Sequence, residues 1–210
     1  MRLKHIAFAL IIAAAVSGCG AAHYTIAPPA IDLTSLGTVG MVLFTAKDTK
    51  GDLDAVATQN FLEEITAAQR VPVVELGPAA KVLGDLGKTD FDRDAFLAVG
   101  DKQGVDAIFL GEIAVTKVKP QLDLAAPLTR TLFARAAMDM SVKVRLVSTK
   151  NGATLWTNSA VRQGTVGSVG MEDGIPVFAV RDKNAALNDL LRQIMYQMTW
   201  DFRPTRQRVR

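Results

Sequence analysis

Hydrophobic positions change their period several times along the chain, and each change predicts an element. The first clean strand is TVGMVLFT, Thr38 to Thr45, an apolar run bounded by glycine. Polar AKDTKGD follows, and then DAVATQNFLEEITAAQR. There Phe61, Leu62, Ile65 and Ala68 fall at helical spacing, with Glu63, Glu64 and Gln69 elsewhere on the surface, so the segment predicts an amphipathic helix. Arg70 closes it with the charge that a helix C-terminus prefers. VPVVEL predicts a short second strand, and Pro72 suits a sheet edge or a strand start. GPAAKVLGDLGK predicts a short helix entered through Pro78. TDFDRDAFLAVGDKQG predicts another, with Phe96, Leu97 and Val99 as its apolar side. VDAIFLGEIAVTKVK is the third strand. Its first half is apolar on both faces, as a central strand requires.

The second half reads differently. PQLDLAAPLTR, Pro120 to Arg130, predicts a loop or hairpin tip. Met138, Met140, Val142, Val144 and Leu146 then alternate with Asp139, Ser141, Lys143 and Arg145. Strict alternation predicts a strand with one buried and one wet face. Asn151–Gly152 is a hairpin signal. A fifth strand follows from about Thr154 to Thr165. The face of its Trp156 stays open, because a slip of one residue reverses every side chain. GTVGSVGMEDGIPVFAV reads as a glycine-rich connection. In the last segment Leu187, Leu190, Leu191, Ile194 and Met198 make a helical stripe opposite Asn188, Asp189, Arg192 and Gln193. That helix must end before Pro204. The order β-α-β-α-α-β-β-β-α predicts a single-domain α/β sandwich, a mixed β-sheet packed by helices.

Ahead of this pattern lies a segment of another kind. Arg2 and Lys4 precede an apolar run from Ile6 to Val16. The run is about 11 residues, against the roughly 20 that a membrane span needs, so it reads as a secretory signal. Val16, Ser17, Gly18 and Cys19 resemble the bacterial lipobox, an aliphatic residue and two small ones before a cysteine. The resemblance implies cleavage before Cys19, diacylglycerol on its thiol and a third acyl chain on its new amine. Several acyl chains on one residue anchor a protein stably. Gly20 stands where an Asp would imply retention in the inner membrane, so the outer membrane, periplasmic face, is expected. A plain signal peptide with an incidental cysteine, or a buried apolar segment, is the competing reading. The expected organisation is a signal peptide over 1–18, a tether containing Pro28–Pro29 over 19–37, the α/β domain over 38–203 and a basic tail over 204–210.

Composition narrows the chemistry. Cys19 is the one cysteine, and acylation would consume it, so packing has to supply the stability. The whole chain carries +3; Arg2 and Lys4 leave with the signal, and the mature charge is about +1. Nucleic acid is therefore not an expected partner. The local exception is RPTRQRVR, with Arg203, Arg206, Arg208 and Arg210, either a solvated terminus or a contact with an anionic surface. The two histidines, His5 and His23, lie in the signal and the tether, which leaves no rigid histidine for a triad or a metal. Asp90, Asp92 and Asp94 alternate like calcium ligands, but Ala95 holds the position that needs Gly and Asp101 the one that needs Glu. They read as a helix N-terminus instead. Neither glycine-rich stretch matches a phosphate-binding motif, so no cofactor is expected. Glu112 sits in an apolar strand with Asp106 before it; the pair could serve a glycosidase, or Glu112 could simply turn outward or be salt-bridged.

The order of features resembles a group of envelope-assembly lipoproteins. It comprises the curli-secretion lipoprotein, the lipoprotein activator of penicillin-binding proteins and the Pel-exopolysaccharide lipoprotein. The resemblance runs from about Thr38 to Phe202 and is carried by DAIFLGEI and VRLVSTKNGATLW. It implies a non-catalytic accessory component of a cell-envelope machine for secretion, polysaccharide export or cell-wall synthesis. It also implies an envelope protein partner and, as in some members of the group, a homo-oligomeric ring. Long membrane-inserting hairpins are not expected, since the connections Lys117–Phe133 and Gly164–Val180 look short and irregular. The alternative function is a periplasmic binding module for a small ligand or glycan.

Overall fold

A computed structural model describes residues 24–47, 52–116, 119–123, 133–172, 175–180 and 182–208. The signal segment, the lipobox residues Val16, Ser17, Gly18 and Cys19, and Arg210 lie outside the described residues. The described chain forms two units, a body spanning Pro29–Arg203 and a small ribbon from the flanking segments.

The ribbon is β1 (Tyr24–Ala27) paired antiparallel with a strand at Thr205–Arg208, with Tyr24 opposite Arg208 and Ile26 opposite Arg206. Tyr24 and Ile26 are exposed.

The body is a mixed α/β domain. Its elements are β2 (Val39–Leu43), β3 (Thr45–Lys47), α1 (Leu53–Ala68), β4 (Val73–Pro78), α2 (Ala79–Gly84), α3 (Arg93–Gln103), β5 (Ala107–Val115), β6 (Lys119–Asp123), β7 (Phe133–Ser148), β8 (Thr154–Glu172), β9 (Ile175–Val180) and α4 (Lys183–Met198). The order along the sheet is β4-β2-β5-β7-β8-β9, with β3 on β5 and β6 on β7. β4, β2 and β5 run parallel; β5, β7, β8 and β9 run antiparallel to their neighbours. Pro72 is followed by an edge strand, and β5 is central. Both follow from composition, because a ladder proline suits an edge and a doubly apolar strand needs cover on both faces.

The two faces of the sheet are packed unequally. α1 and α4 cover one face over the larger core, which holds the buried residues of both helices with Met41, Phe109, Ile113 and the apolar row Met138 to Leu146. Within it five rings meet: Phe61 lies 5.5 Å from Phe44 and 5.1 Å from Phe109, and Trp156 lies 4.8 Å from Phe202 and 6.4 Å from Phe109. Gly111 of β5 makes room for the Phe44 ring, which occupies the space a Cβ would take. α2 and α3 cover the other face over a smaller aliphatic core that includes Val42, Val82, Phe96, Val99, Ile108 and Val147. Asp92 caps α3 by accepting from the Ala95 N–H at 2.7 Å, and Gly104 ends it with φ 65°. This is the cap reading of the aspartate cluster rather than the calcium one.

The register of β8 places Trp156 opposite Leu146, inside the larger core, where its indole N–H donates to Asp201 Oδ2 at 2.9 Å.

Two expectations are corrected. The connections read as loop or irregular chain carry strands: β6 pairs with Phe133–Ala137, and β8 runs on to Glu172 before β9 returns along it. Glycines and Pro176 mask the alternation there, but the long partner β7 pairs with β8 as far as Val169, with a bulge opposite Ala136–Ala137, and β8 in turn pairs with β9. Residues 124–132 and 173–174 lie outside the described residues. The segment expected to be tether up to residue 37 also packs into the body near its end. Leu33–Leu36 is a 3-10 turn capped by Asp32, and Leu33 is fully buried. Gln69, itself buried, holds that segment: its Oε1 accepts from Leu33 N at 2.8 Å, and its Nε2 donates to the carbonyls of Ile31 at 2.6 Å and Phe202 at 3.0 Å. A buried amide so fully partnered is costly to lose, and nothing in the local pattern of residues 31–36 announces it.

Candidate functional site

Asp106 and Glu112 are the chain's conventional catalytic candidates. Asp106 accepts from Thr38 N at 2.9 Å and pairs with Lys150 Nζ at 2.9 Å. The Lys150 hydrogen bond, and then that of the Thr38 amide, hold its carboxyl below the ordinary aspartate value. Glu112 is turned outward and paired with Lys47 at 3.3 Å, as the plainer reading expected. Six residues of extended chain, about 20 Å, separate the two acids along the same stretch. A glycosidase pair needs roughly 5–9.5 Å, so they do not flank one bond. No cluster of three or more potential metal ligands occurs among the described residues.

The basic tail divides. Arg203 belongs to the body, where it is paired with Glu64 and its guanidinium lies 4.3 Å from the Tyr196 ring centroid. Arg206 and Arg208 lie exposed on the ribbon strand.

A concave site does form, on the outer side of α4. The helix buries Leu190, Leu191, Ile194, Met195 and Met198 against the sheet. That stripe leaves Arg192, Gln193, Tyr196 and Gln197 on the opposite face. The 3-10 turn that continues the helix, Thr199–Phe202, adds Trp200 to the same side. Glu64 of α1 and Arg162 of β8 complete a groove of about 550 Å³. Tyr196 is 49% and Trp200 51% exposed, which is unusual for rings of this size on a helix whose other face is well packed. Their rings meet edge to face at 6.2 Å. Arg162 donates to Gln197 Oε1 at 2.8 Å. Arg162 and Gln197 thus fix each other on the same lining as the two rings.

None of these is expected as a site from the sequence: Arg192, Gln193 and Glu64 read there only as solvated helix faces, and Tyr196, Gln197, Trp200 and Arg162 are not singled out. Their signal was present: Tyr196 and Trp200 are four residues apart and off the apolar stripe. What sequence could not supply was Arg162 and Glu64, brought in from elements far away in the chain.

A second cavity of about 310 Å³ lies on the smaller-core side, lined by Phe91, Glu112, Lys143 and Arg145 among others. Glu112 stands directly opposite Lys143 in the β5–β7 register, so part of its charge is matched across the strands.

No family model matches the chain, and no curated protein matches its sequence. Solved structures with a similar chain course include a PelC dodecamer from Paraburkholderia phytofirmans, at 13% identity over 87% of this chain and 99% of that one, TM-score 0.45. Lipoprotein GNA1162 from Neisseria meningitidis has 16% identity over 77% of this chain and 97% of that one, TM-score 0.42. The LpoB C-terminal domain from Salmonella enterica has 12% identity over 60% and 81%, TM-score 0.35. No activity, partner or assembly is carried over from them.

Proposed function

We propose that the chain is a lipid-anchored accessory protein of the bacterial envelope, held on the periplasmic face of the outer membrane, that serves an envelope machine by contact rather than catalysis. The observation that carries this reading is Val16-Ser17-Gly18-Cys19 after a short apolar run that follows Arg2 and Lys4. Among the described residues no helix is long and apolar enough to cross a membrane. A contact role agrees with carboxylates spent on structure: Asp106 on Lys150 and Thr38, Glu112 on Lys47.

Self-association fits the same reading. Among the described residues β4 and β9 end the main strand order, each pairing within the sheet on one side only. Open edges in molecules confined to one membrane plane favour side-to-side pairing, and a head-to-tail repeat closes into a ring when its rotation allows. Arg206 and Arg208 of the ribbon would face an anionic surface.

The second reading, a periplasmic binding module, is favoured by the groove on α4. Labelling with radioactive palmitate tests the anchor. The natural chain should carry label and fractionate with the outer membrane, and Cys19→Ser should lose both label and processing. Equal membrane retention of the unlabelled variant would refute the anchor. Cross-linking in cells should give a ladder that stops at one size; a monomer throughout would refute the ring.

A further inference from the structure

The groove on α4 combines three features: an exposed indole beside an exposed phenol, planar amides, and arginines in excess of acid among the described residues. Among the described residues Glu64 is the one acid lining it, and Arg203 already holds that carboxylate. Arg162 and Arg192 therefore leave the lining positive. Arg203 also lies on the Tyr196 ring, which fixes the ring without filling the groove.

Each feature selects part of a ligand. The plane of Trp200 is an apolar face with a polar edge, suited to the C–H face of a pyranose ring. Gln193 offers an amide donor and acceptor at the spacing of vicinal hydroxyls, and Gln197, though bound by Arg162, keeps its amide N–H donors. Guanidinium forks match carboxylates with two parallel hydrogen bonds. The groove, about 550 Å³, is shallow and open to solvent, which suits a sugar chain laid along it better than an enclosed small molecule. A protein dock fits less well: it needs roughly 800 Å² per side with an apolar centre, and two rings do not make one.

We infer that this groove binds an acidic oligosaccharide, with a sugar ring on Trp200 and its carboxylates on Arg162 and Arg192. The inference rests on the binding-module reading and not on the lipid anchor.

The test is titration calorimetry of the full-length protein in detergent with tetragalacturonate and with a hyaluronan tetrasaccharide. Neutral cellotetraose and a glutamate-rich peptide of equal charge are the controls. At least one acidic sugar should bind about tenfold or more tighter than either control, and its affinity should fall with salt. Trp200→Ala should weaken it at least about tenfold, and Trp200→Phe should restore most of the loss. Arg162→Gln with Arg192→Gln should flatten the salt dependence while the unfolding midpoint stays unchanged. Failure of both acidic sugars would overturn the inference. Equal or tighter binding of the peptide would overturn it in favour of an acidic protein segment. Binding that ignores Trp200→Ala and the paired Arg162→Gln and Arg192→Gln would place the ligand elsewhere and overturn the inference. Since palmitate labelling reads the anchor independently, loss of this site would leave the accessory reading standing.

Discussion

The two faces of the central sheet were built from one set of strands but hold different cores. On the α1 and α4 side, five rings and a row of methionines and valines fill a deep layer. On the α2 and α3 side the layer is thinner, mostly aliphatic, and closed by short helices. The sorting is set by β5, where Phe109 points to the first face and Ile108 to the second. The larger side also gathers the distant chain ends of the body, since Leu33 and Phe202 are both buried there. One face thus carries global stability, and it also leaves spare helix surface for a binding groove.

Cutting into each face should expose this difference. Phe109→Ala removes the ring that touches Phe61, Trp156 and Phe202, and should cost about 3–5 kcal/mol in urea unfolding. Gln69→Leu strands a buried N–H and two carbonyls; about 3 kcal/mol is expected, with residues 31–33 losing amide exchange protection first. Val99→Ala, its counterpart in the thinner core, should cost about 2 kcal/mol. A larger loss from Val99→Ala than from Phe109→Ala would invert the comparison.

The smallest effect concerns Asp106, which ties the entry of β5 to Lys150. Its carboxyl is held below the ordinary value of 3.8, so the folded state favours the charged form. The stability it contributes is present above that value and is lost as pH falls through the lower folded value. Asp106→Asn should remove a small stabilisation at neutral pH and flatten the decline of stability at acid pH below about 4. An unchanged acid profile in the variant would show that the contact with Lys150 adds nothing.

Much of the architecture was legible because period and burial agree. The alternating row from Met138 to Leu146 lies buried as its pattern requires, and the stripe of α4 does the same. Pro72 marked an edge and Asn151–Gly152 a turn, each for a local reason. What escaped depends on distant partners. In Gly164–Val180, β8 is paired by β7 as far as Val169 and β9 by β8, so the ladder comes from partners rather than from a local pattern. Leu33 looks like part of a tether until Gln69 and the ring cluster enclose it. The groove needs Arg162 and Glu64 beside Tyr196 and Trp200, and no spacing in the chain relates those positions. The proposed lipidation is the reverse case: its motif is read in the sequence alone, because Val16 to Cys19 lie outside the described residues.

That asymmetry makes the anchor the claim to measure most directly. Mass spectrometry of the protein extracted from membranes should find Cys19 as the first residue, bearing a diacylglyceryl thioether and an amide-linked acyl chain. An unprocessed chain beginning at Met1, or a cleaved chain with a free Cys19 thiol, would contradict it.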